Sequence, residues 1–311
     1  MALKQTKSYA MFRGKIYGLN SEKKSPVSSN DFASKLQFIV KTDEDNVHYC
    51  QVTQWLSQVG KEVYFSSTTE KGTTQKVPWD KRYENFENWK LIGVGVKGPN
   101  EQETKTFVPM DAIDAIQSKF TDGDSVFVKC TKTSSARGNN VYTNYEVNAI
   151  YTTQDEVNFE SEDFEEVSDF MDEVVFVSTG GTSKKMEVEA YHIGYKDALT
   201  LVTYTVDMED DDSKEVGNYI KKNLKFGDVV KLEGIIHNRA VVEWKDKDGG
   251  KQTSVVGKKR KAFGGGSNKE KVVTGERKEF EIVAIAEVKS GVYKQSDFEQ
   301  EESEPLPWET E

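Results

Sequence analysis

The sequence predicts an all-β protein with short helices, built as two tandem five-stranded barrels. Three observations carry this expectation: short alternating runs rich in aromatic and β-branched residues, one helical segment in each half, and a repeated junction after each helix.

In the first half, "YAMFRGKIYGL" (9–19) has strand alternation and aromatic content. Residues 35–55 read as two strands around the turn "TDEDN", because Leu36, Phe38 and Val40 alternate and so do Val47 and Tyr49. "KEVYFSS" (61–67) is a further short strand. Pro109 near the start of 107–120, with Ile113, Ile116 and Phe120 at helical spacing, predicts a short helix. Strands at 122–130 and 140–152 then flank the loop "TSSARGNN". The second half repeats this order with strands at 184–195 and 198–207, a helix over 213–226, and strands at 227–236 and 278–288.

The halves match at the helix end. "QSKFTDGDSVFVKC" and "NLKFGDVVKLEG" each place Lys-Phe before a Gly-Asp turn and an alternating strand. Three strands, a helix and two strands is the order of the OB-fold, a five-stranded Greek-key barrel. Two unrelated small β-barrels or sandwiches are the alternative.

Charge divides the chain. The formal charge is −11, yet 155–173 holds ten acids without a base and the stretch after Lys294 holds seven more. Without those 17 of the 53 acids, 36 face 42 bases, a balance of +6. The expected organisation is a first OB-like domain (1–154), an acidic linker (155–173), a second OB-like domain (174–290) with a basic loop (238–277), and a disordered acidic tail (291–311). A solvated helix is the alternative for the linker. The longest apolar runs fall short of a membrane span, and the N-terminus has no apolar signal core, so a cytoplasmic protein is expected. Cys50 and Cys130 fit buried free thiols, and His48, His192 and His237 lack metal-site spacing, so neither metal nor cofactor is expected.

No Ser/His/Asp grouping, HExxH or P-loop is present; "STGGTSKK" lacks the spacing that wraps a phosphate, and nothing argues for an enzyme. Nucleic-acid binding has positive signals, since single strands are held by cations that track phosphates and by aromatic faces that stack bases. "VPWDKRYENFENWKL" concentrates Trp79, Lys81, Arg82, Tyr83, Trp89 and Lys90, although its aromatics also suit a barrel core. The loop 238–277 carries Arg239, Trp244 and Lys245, then Lys258, Lys259, Arg260 and Lys261 beside Phe263 and three glycines. A solvated loop or a localisation signal is the plain alternative for "KKRK". Arg137 and Tyr142 occupy the corresponding loop of the first half. In the tail, Leu306 and Trp308 are apolar anchors suited to a protein partner.

With its two barrels, "GKKRKAFGGGS" and "EESEPLPWETE", the chain resembles the single-stranded-DNA-binding proteins of bacteria and their phages. The resemblance implies sequence-tolerant coating of single-stranded DNA in replication, recombination and repair, with the tail recruiting replication or recombination proteins. Here Glu309, Thr310 and Glu311 follow Trp308, where that family ends on an aromatic residue. Two barrels in one chain suggest a monomer or small oligomer. An RNA-binding barrel, an acidic nucleic-acid mimic and a nuclease accessory subunit are the competing readings.

Overall fold

Alternation along Ser8–Tyr17 (β1) buries Ala10, Phe12 and Ile16 on one side and leaves Tyr9 exposed on the other. The same period shapes the other long strands, and the fold is mostly β, consistent with an OB-like all-β architecture. The structure is a computed structural model. It describes residues 3–19, 27–138, 140–246 and 269–298, with only the backbone for 240–246 and 269–277.

Ala33–Lys41 (β2), Val47–Trp55 (β3), Ser125–Arg137 (β4) and Asn140–Thr152 (β5) close a circuit with β1. Its pairs are β1–β2, β2–β3, β3–β5, β5–β4 and β4–β1, of which only β3–β5 is parallel. Pro109–Lys119 (α1) lies between β3 and β4; Pro109 opens the helix, and Ala112, Ile113, Ala115 and Ile116 form its buried face.

The second circuit repeats every pairing. Val167–Gly181 (β6), Lys185–Ile193 (β7), Leu199–Asp207 (β8), Val229–Asp246 (β9) and Lys269–Lys289 (β10) pair as β6–β7, β7–β8, β8–β10, β10–β9 and β9–β6, again with only the third pair parallel. Asp211–Asn223 (α2) separates β8 from β9. Asp210 caps it by accepting from Ser213 N at 2.9 Å, and Lys221 and Lys222 meet its C-terminal dipole. Ile220 is fully buried, which contributes about 1.5–3 kcal/mol relative to exposure.

The repeated Gly-Asp junction is conserved down to individual hydrogen bonds. Gly123 N donates to Ile16 O (2.7 Å) and Ile16 N to Asp124 O (3.0 Å); in the second unit Gly227 N donates to Phe176 O (3.0 Å) and Phe176 N to Asp228 O (2.9 Å). Asp124 and Asp228 each accept from the amide three residues earlier, at 2.7 and 2.9 Å. Both glycines have positive φ, +97° and +85°, which the turn requires.

Four expectations are corrected. The basic loop is shorter than 238–277, because β9 runs to Asp246 and β10 begins at Lys269. The tail expected to be disordered from 291 begins as packed chain, with Tyr293 buried and the Phe298 ring against Tyr191 and Tyr293. The acidic run is not a linker throughout, because Val167–Glu173 begin β6, the first strand of the second unit. β6 pairs antiparallel with β1 in the register Ser8↔Asp172 to Arg13↔Val167, so the equivalent first strands join the units edge to edge. The run reads as linker because the outward Asp169 and Glu173 mask a face that buries Ser168, Phe170 and Asp172. The predicted loop 133–140 is likewise a continuation of strands β4 and β5, paired out to Arg137↔Asn140.

Asp172 is fully buried and ion-paired with the equally buried Lys132 of β4. Tyr204 OH donates to Asp172 Oδ2 at 2.7 Å and lies 2.7 Å from His192 Nε2, while Ser8 Oγ lies 3.0 Å from His192 Nδ1. The Lys132 ammonium sits 3.7 Å from the centroid of Phe280 and 5.0 Å from that of Phe170. A second polar seam holds turn 42–46 against β9. Asn46 Nδ2 donates to Glu166 Oε1 (2.7 Å) and Ile236 O (3.0 Å), and Asn238 Nδ2 donates to Val47 O (2.7 Å).

Residues 56–108 insert a three-stranded sheet (Glu62–Ser67, Thr74–Pro78, Trp89–Leu91) with its own apolar cluster of Val63, Phe65, Val77 and Val108. Cys50 and Cys130 are buried free thiols with sulfurs 4.0 Å apart. No helix among the described residues is long and apolar enough to cross a membrane.

Candidate nucleic-acid interface

In β3, His48, Cys50, Val52 and Gln54 are buried, so Tyr49, Gln51, Thr53 and Trp55 share the outward face. Gln51, Thr53 and Trp55 of this face line a groove of about 880 Å³ together with Phe32 and Ile92. The Phe32, Trp55 and Ile92 side chains are 72%, 52% and 50% exposed. Clustered apolar groups left in water on an otherwise polar sheet face mark a binding surface. An Asx turn presents Phe32: Asn30 Oδ1 accepts from the amides of Phe32 and Ala33, both at 2.9 Å, and Phe32 O accepts from Leu56 N at 2.9 Å. Lys35, Asn148 and Thr131 add polar walls. The carboxylate in the floor, Glu146, is engaged by Thr53 N (2.6 Å), Gln51 Nε2 (3.0 Å) and Thr53 Oγ1 (3.1 Å).

At the other end of β3 a cleft of about 390 Å³ opens between the two units. Tyr49, Val141 and Tyr142 line it from the first unit; Leu201, Thr203, Asn238 and Phe280 line it from the second. Tyr49 and Tyr142 are about half exposed. The Arg137 guanidinium lies 5.9 Å from the Tyr142 ring centroid at the tip of the β4–β5 hairpin.

The corresponding face of the second unit has a different character. Leu201, Thr203 and Asp207 face outward on β8, and the neighbouring strands present Glu187, Glu189 and Glu281, with Glu279 buried beside them. Glu279 pairs with Lys185 at 2.5 Å and Glu281 with His237 at 2.7 Å. Of these two faces, the first unit's carries the exposed aromatic rings and the second unit's carries the carboxylates.

Several of the residues singled out in 77–91 have packing or hydrogen-bond partners within the insertion and on α1. Trp79 and Trp89 pack on the insertion's apolar cluster. Arg82 donates to Asp111 Oδ2 (3.1 Å) and Trp79 O (3.0 Å), with its guanidinium 4.8 Å from the Trp79 ring. Tyr83 OH donates to the same Asp111 oxygen at 2.6 Å and accepts from Val108 N at 3.2 Å. Burial, followed by the Asp111 hydrogen bond, pushes the Tyr83 hydroxyl up to about 12. Arg82 and Tyr83 thus dock the insertion onto the first turn of α1, while Lys81 and Lys90 are exposed.

Arg239 bridges Asp43 (2.9 Å) and Glu166 across the seam and is committed to ion pairs. Trp244 and Lys245 lie in β9 opposite Lys271 and Glu270. Lys258, Lys259, Arg260, Lys261, Phe263, Leu306 and Trp308 lie outside the described residues. Sequence reasoning missed Phe32, Tyr49, Trp55 and Leu201. The signal for two of them was present in "VHYCQVTQW", where alternation puts Tyr49 and Trp55 together on the strand's polar face.

Among the described residues, no group of three or more His, Cys, Asp or Glu side chains is arranged to hold a metal ion. His48 is buried between the units with its ring stacked on Phe12 at 4.2 Å. Ser168 donates to Ile236 O (2.7 Å) and Thr42 to Glu166 (2.7 Å), so both hydroxyls accept from His48 Nε2–H, at 2.9 and 3.3 Å. Burial, then the nearby Arg239 charge, lowers its pKa to about 3.

The YorF family model matches residues 102–307, which take in both helices and most strands of the two units, and the chain belongs to that family. Among solved structures, the chain is similar to the wild-type single-stranded DNA binding protein from Thermus aquaticus, at 8% identity and a TM-score of 0.40, covering 94% of this chain and 97% of that one. A deletion variant of the same Thermus aquaticus protein gives 8% identity and a TM-score of 0.37, covering 75% and 88%. A search of curated proteins gives no match.

Proposed function

We propose that the chain is a non-enzymatic, sequence-tolerant single-stranded-DNA-binding protein whose two units are OB-type Greek-key barrels. The observation that carries this reading is the groove over β3, with Phe32, Trp55 and Ile92 exposed above a floor of threonine, glutamine and asparagine side chains around the hydrogen-bonded Glu146 carboxylate. Each aromatic face stacks a base whatever its identity, at roughly 1–3 kcal/mol per base. Hydroxyl and amide groups suit the sugar–phosphate chain without demanding one base. In this reading the first unit is the principal strand-holding barrel, and the second is a scaffold that carries the basic segment 258–261 between β9 and β10. The acidic tail recruits protein partners through Leu306 and Trp308.

The test is a fluorescence-anisotropy titration of labelled oligo(dT) over a salt series, with duplex DNA and RNA as competitors. Binding that prefers the single strand, falls steeply with salt and weakens roughly 5- to 150-fold in Trp55→Ala supports the reading. Equal affinity for duplex, or preference for RNA, redirects it. No binding at low salt ends it.

A further inference from the structure

Trp55 and Tyr49 stand on one face of one strand, six residues apart, and each borders a different opening: the groove at one end and the inter-unit cleft at the other. At about 3.3 Å per residue they are separated by roughly 20 Å. Gln51 and Thr53, which lie between them, are partly exposed and polar, so no apolar ridge interrupts the path.

The cleft has the attributes of a seat for a flat aromatic group. Its volume of about 390 Å³ lies in the range of small-molecule sites. Tyr49 and Tyr142 offer half-exposed rings, Leu201 from the second unit is 39% exposed opposite them, and Phe280 completes the apolar lining. Asn238 is anchored through its Nδ2 to Val47 O at 2.7 Å and borders the cleft as a positioned polar group. The walls come from both units, which the buried Lys132–Asp172 pair and the β1–β6 ladder hold in one relation. The cleft is therefore a product of the duplication, with no counterpart inside a single barrel.

Resting on the reading that the groove holds single-stranded DNA, we infer that the inter-unit cleft is a second base-binding site, occupied by a nucleobase of the same strand after it has crossed β3 from Trp55. The ligand class is a nucleobase of a flexible polynucleotide, stacked on Tyr49 or Tyr142 and bounded by Leu201. At the stacked rise of about 3.4 Å per nucleotide roughly six nucleotides bridge the two ends, and an extended strand bridges them with fewer. A trinucleotide, with two internucleotide steps, reaches only one site.

The experiment compares dT3, dT6, dT9 and dT12 on the full chain, on Tyr49→Ala, and on Leu201→Trp, which fills the cleft. Both positions are exposed, and circular dichroism melts confirm that each variant folds. The expected result is a wild-type affinity that climbs between dT3 and dT9, with both variants binding dT3 as the wild type does but dT9 roughly 5- to 150-fold more weakly. A dT9 carrying 5-iodouracil at one end, photolysed on the wild-type chain, should cross-link to Tyr49 or Tyr142. Wild-type binding with unchanged length dependence in both variants, or cross-links confined to Phe32 and Trp55, overturns the cleft site and leaves the groove standing. A wild-type chain that binds none of the oligonucleotides overturns both.

Discussion

Replacing Lys132 by Met keeps the length of the side chain and removes its charge, leaving the Asp172 carboxylate buried without a counter-ion. Both side chains have zero exposure, so the change is read at the interior scale. An exposed pair would contribute about 0–1 kcal/mol. Breaking a buried pair by removing one partner costs about 3–5 kcal/mol, because the remaining charge cannot reach water. Tyr204 still donates to Asp172 and moderates the loss, but Asp172 Oδ1 has no hydrogen-bond partner. At about 2 °C per kcal/mol for a chain of this size, the melting temperature should fall by about 6–10 °C. The double variant Lys132→Met/Asp172→Leu replaces the pair with apolar groups and should recover most of the deficit. Equilibrium urea unfolding of wild type, both single variants and the double variant measures the coupling. A Lys132→Met cost below about 1 kcal/mol, or additive single effects, refutes a charge pair buried at the seam. The Asp172 carboxyl is raised by burial but more strongly lowered by Lys132 and the neighbouring His192, so its native value lies below the ordinary carboxylate range. The pair's contribution is present above about pH 3.9 and is lost only as pH falls through that depressed native value. It should not bend the stability curve between pH 5 and 7.

His48 should bend it. Its pKa is depressed from 6.5 to about 3, so stability is complete above pH 6.5 and falls as the unfolded chain takes up a proton, by about 2 kcal/mol between pH 7.5 and 5. Urea midpoints against pH should show this slope, and His48→Phe should flatten it even where the plateau is lower. Arg239→Gln should destabilise the seam while leaving the salt dependence of DNA binding unchanged; Ala at 258–261 should lower the log–log salt slope by about 0.7 for each phosphate contact removed. An altered slope in Arg239→Gln would return that residue to the DNA face. Gly227→Ala should cost about 1–3 kcal/mol more than Gly123→Ala by thermal melting, since its Cβ would lie 1.9 Å from Tyr293 O whereas Gly123 has nothing within 4 Å. Equal costs would mean that the second turn relaxes.

The sequence by itself determined the all-β class, the duplicated element order and the Gly-Asp junctions. Each follows from local rules: period-two alternation, a helix opened by proline, and a turn that only glycine relaxes into. Trp79, Trp89, Arg82 and Tyr83 had the right chemistry for a ligand, but composition cannot distinguish an aromatic that pads a core from one that faces water. Only the tertiary structure shows Trp79 and Trp89 packed on Val63, Phe65 and Val77, and Arg82 and the half-exposed Tyr83 sharing Asp111. Tertiary structure also decided the fate of 155–173. Asp172 is acidic in any sequence reading, and it becomes a core residue because Lys132, forty positions away, meets it across the β1–β6 seam. The same long-range pairing places Tyr49 opposite Leu201, a juxtaposition of residues more than 150 positions apart that no local rule encodes.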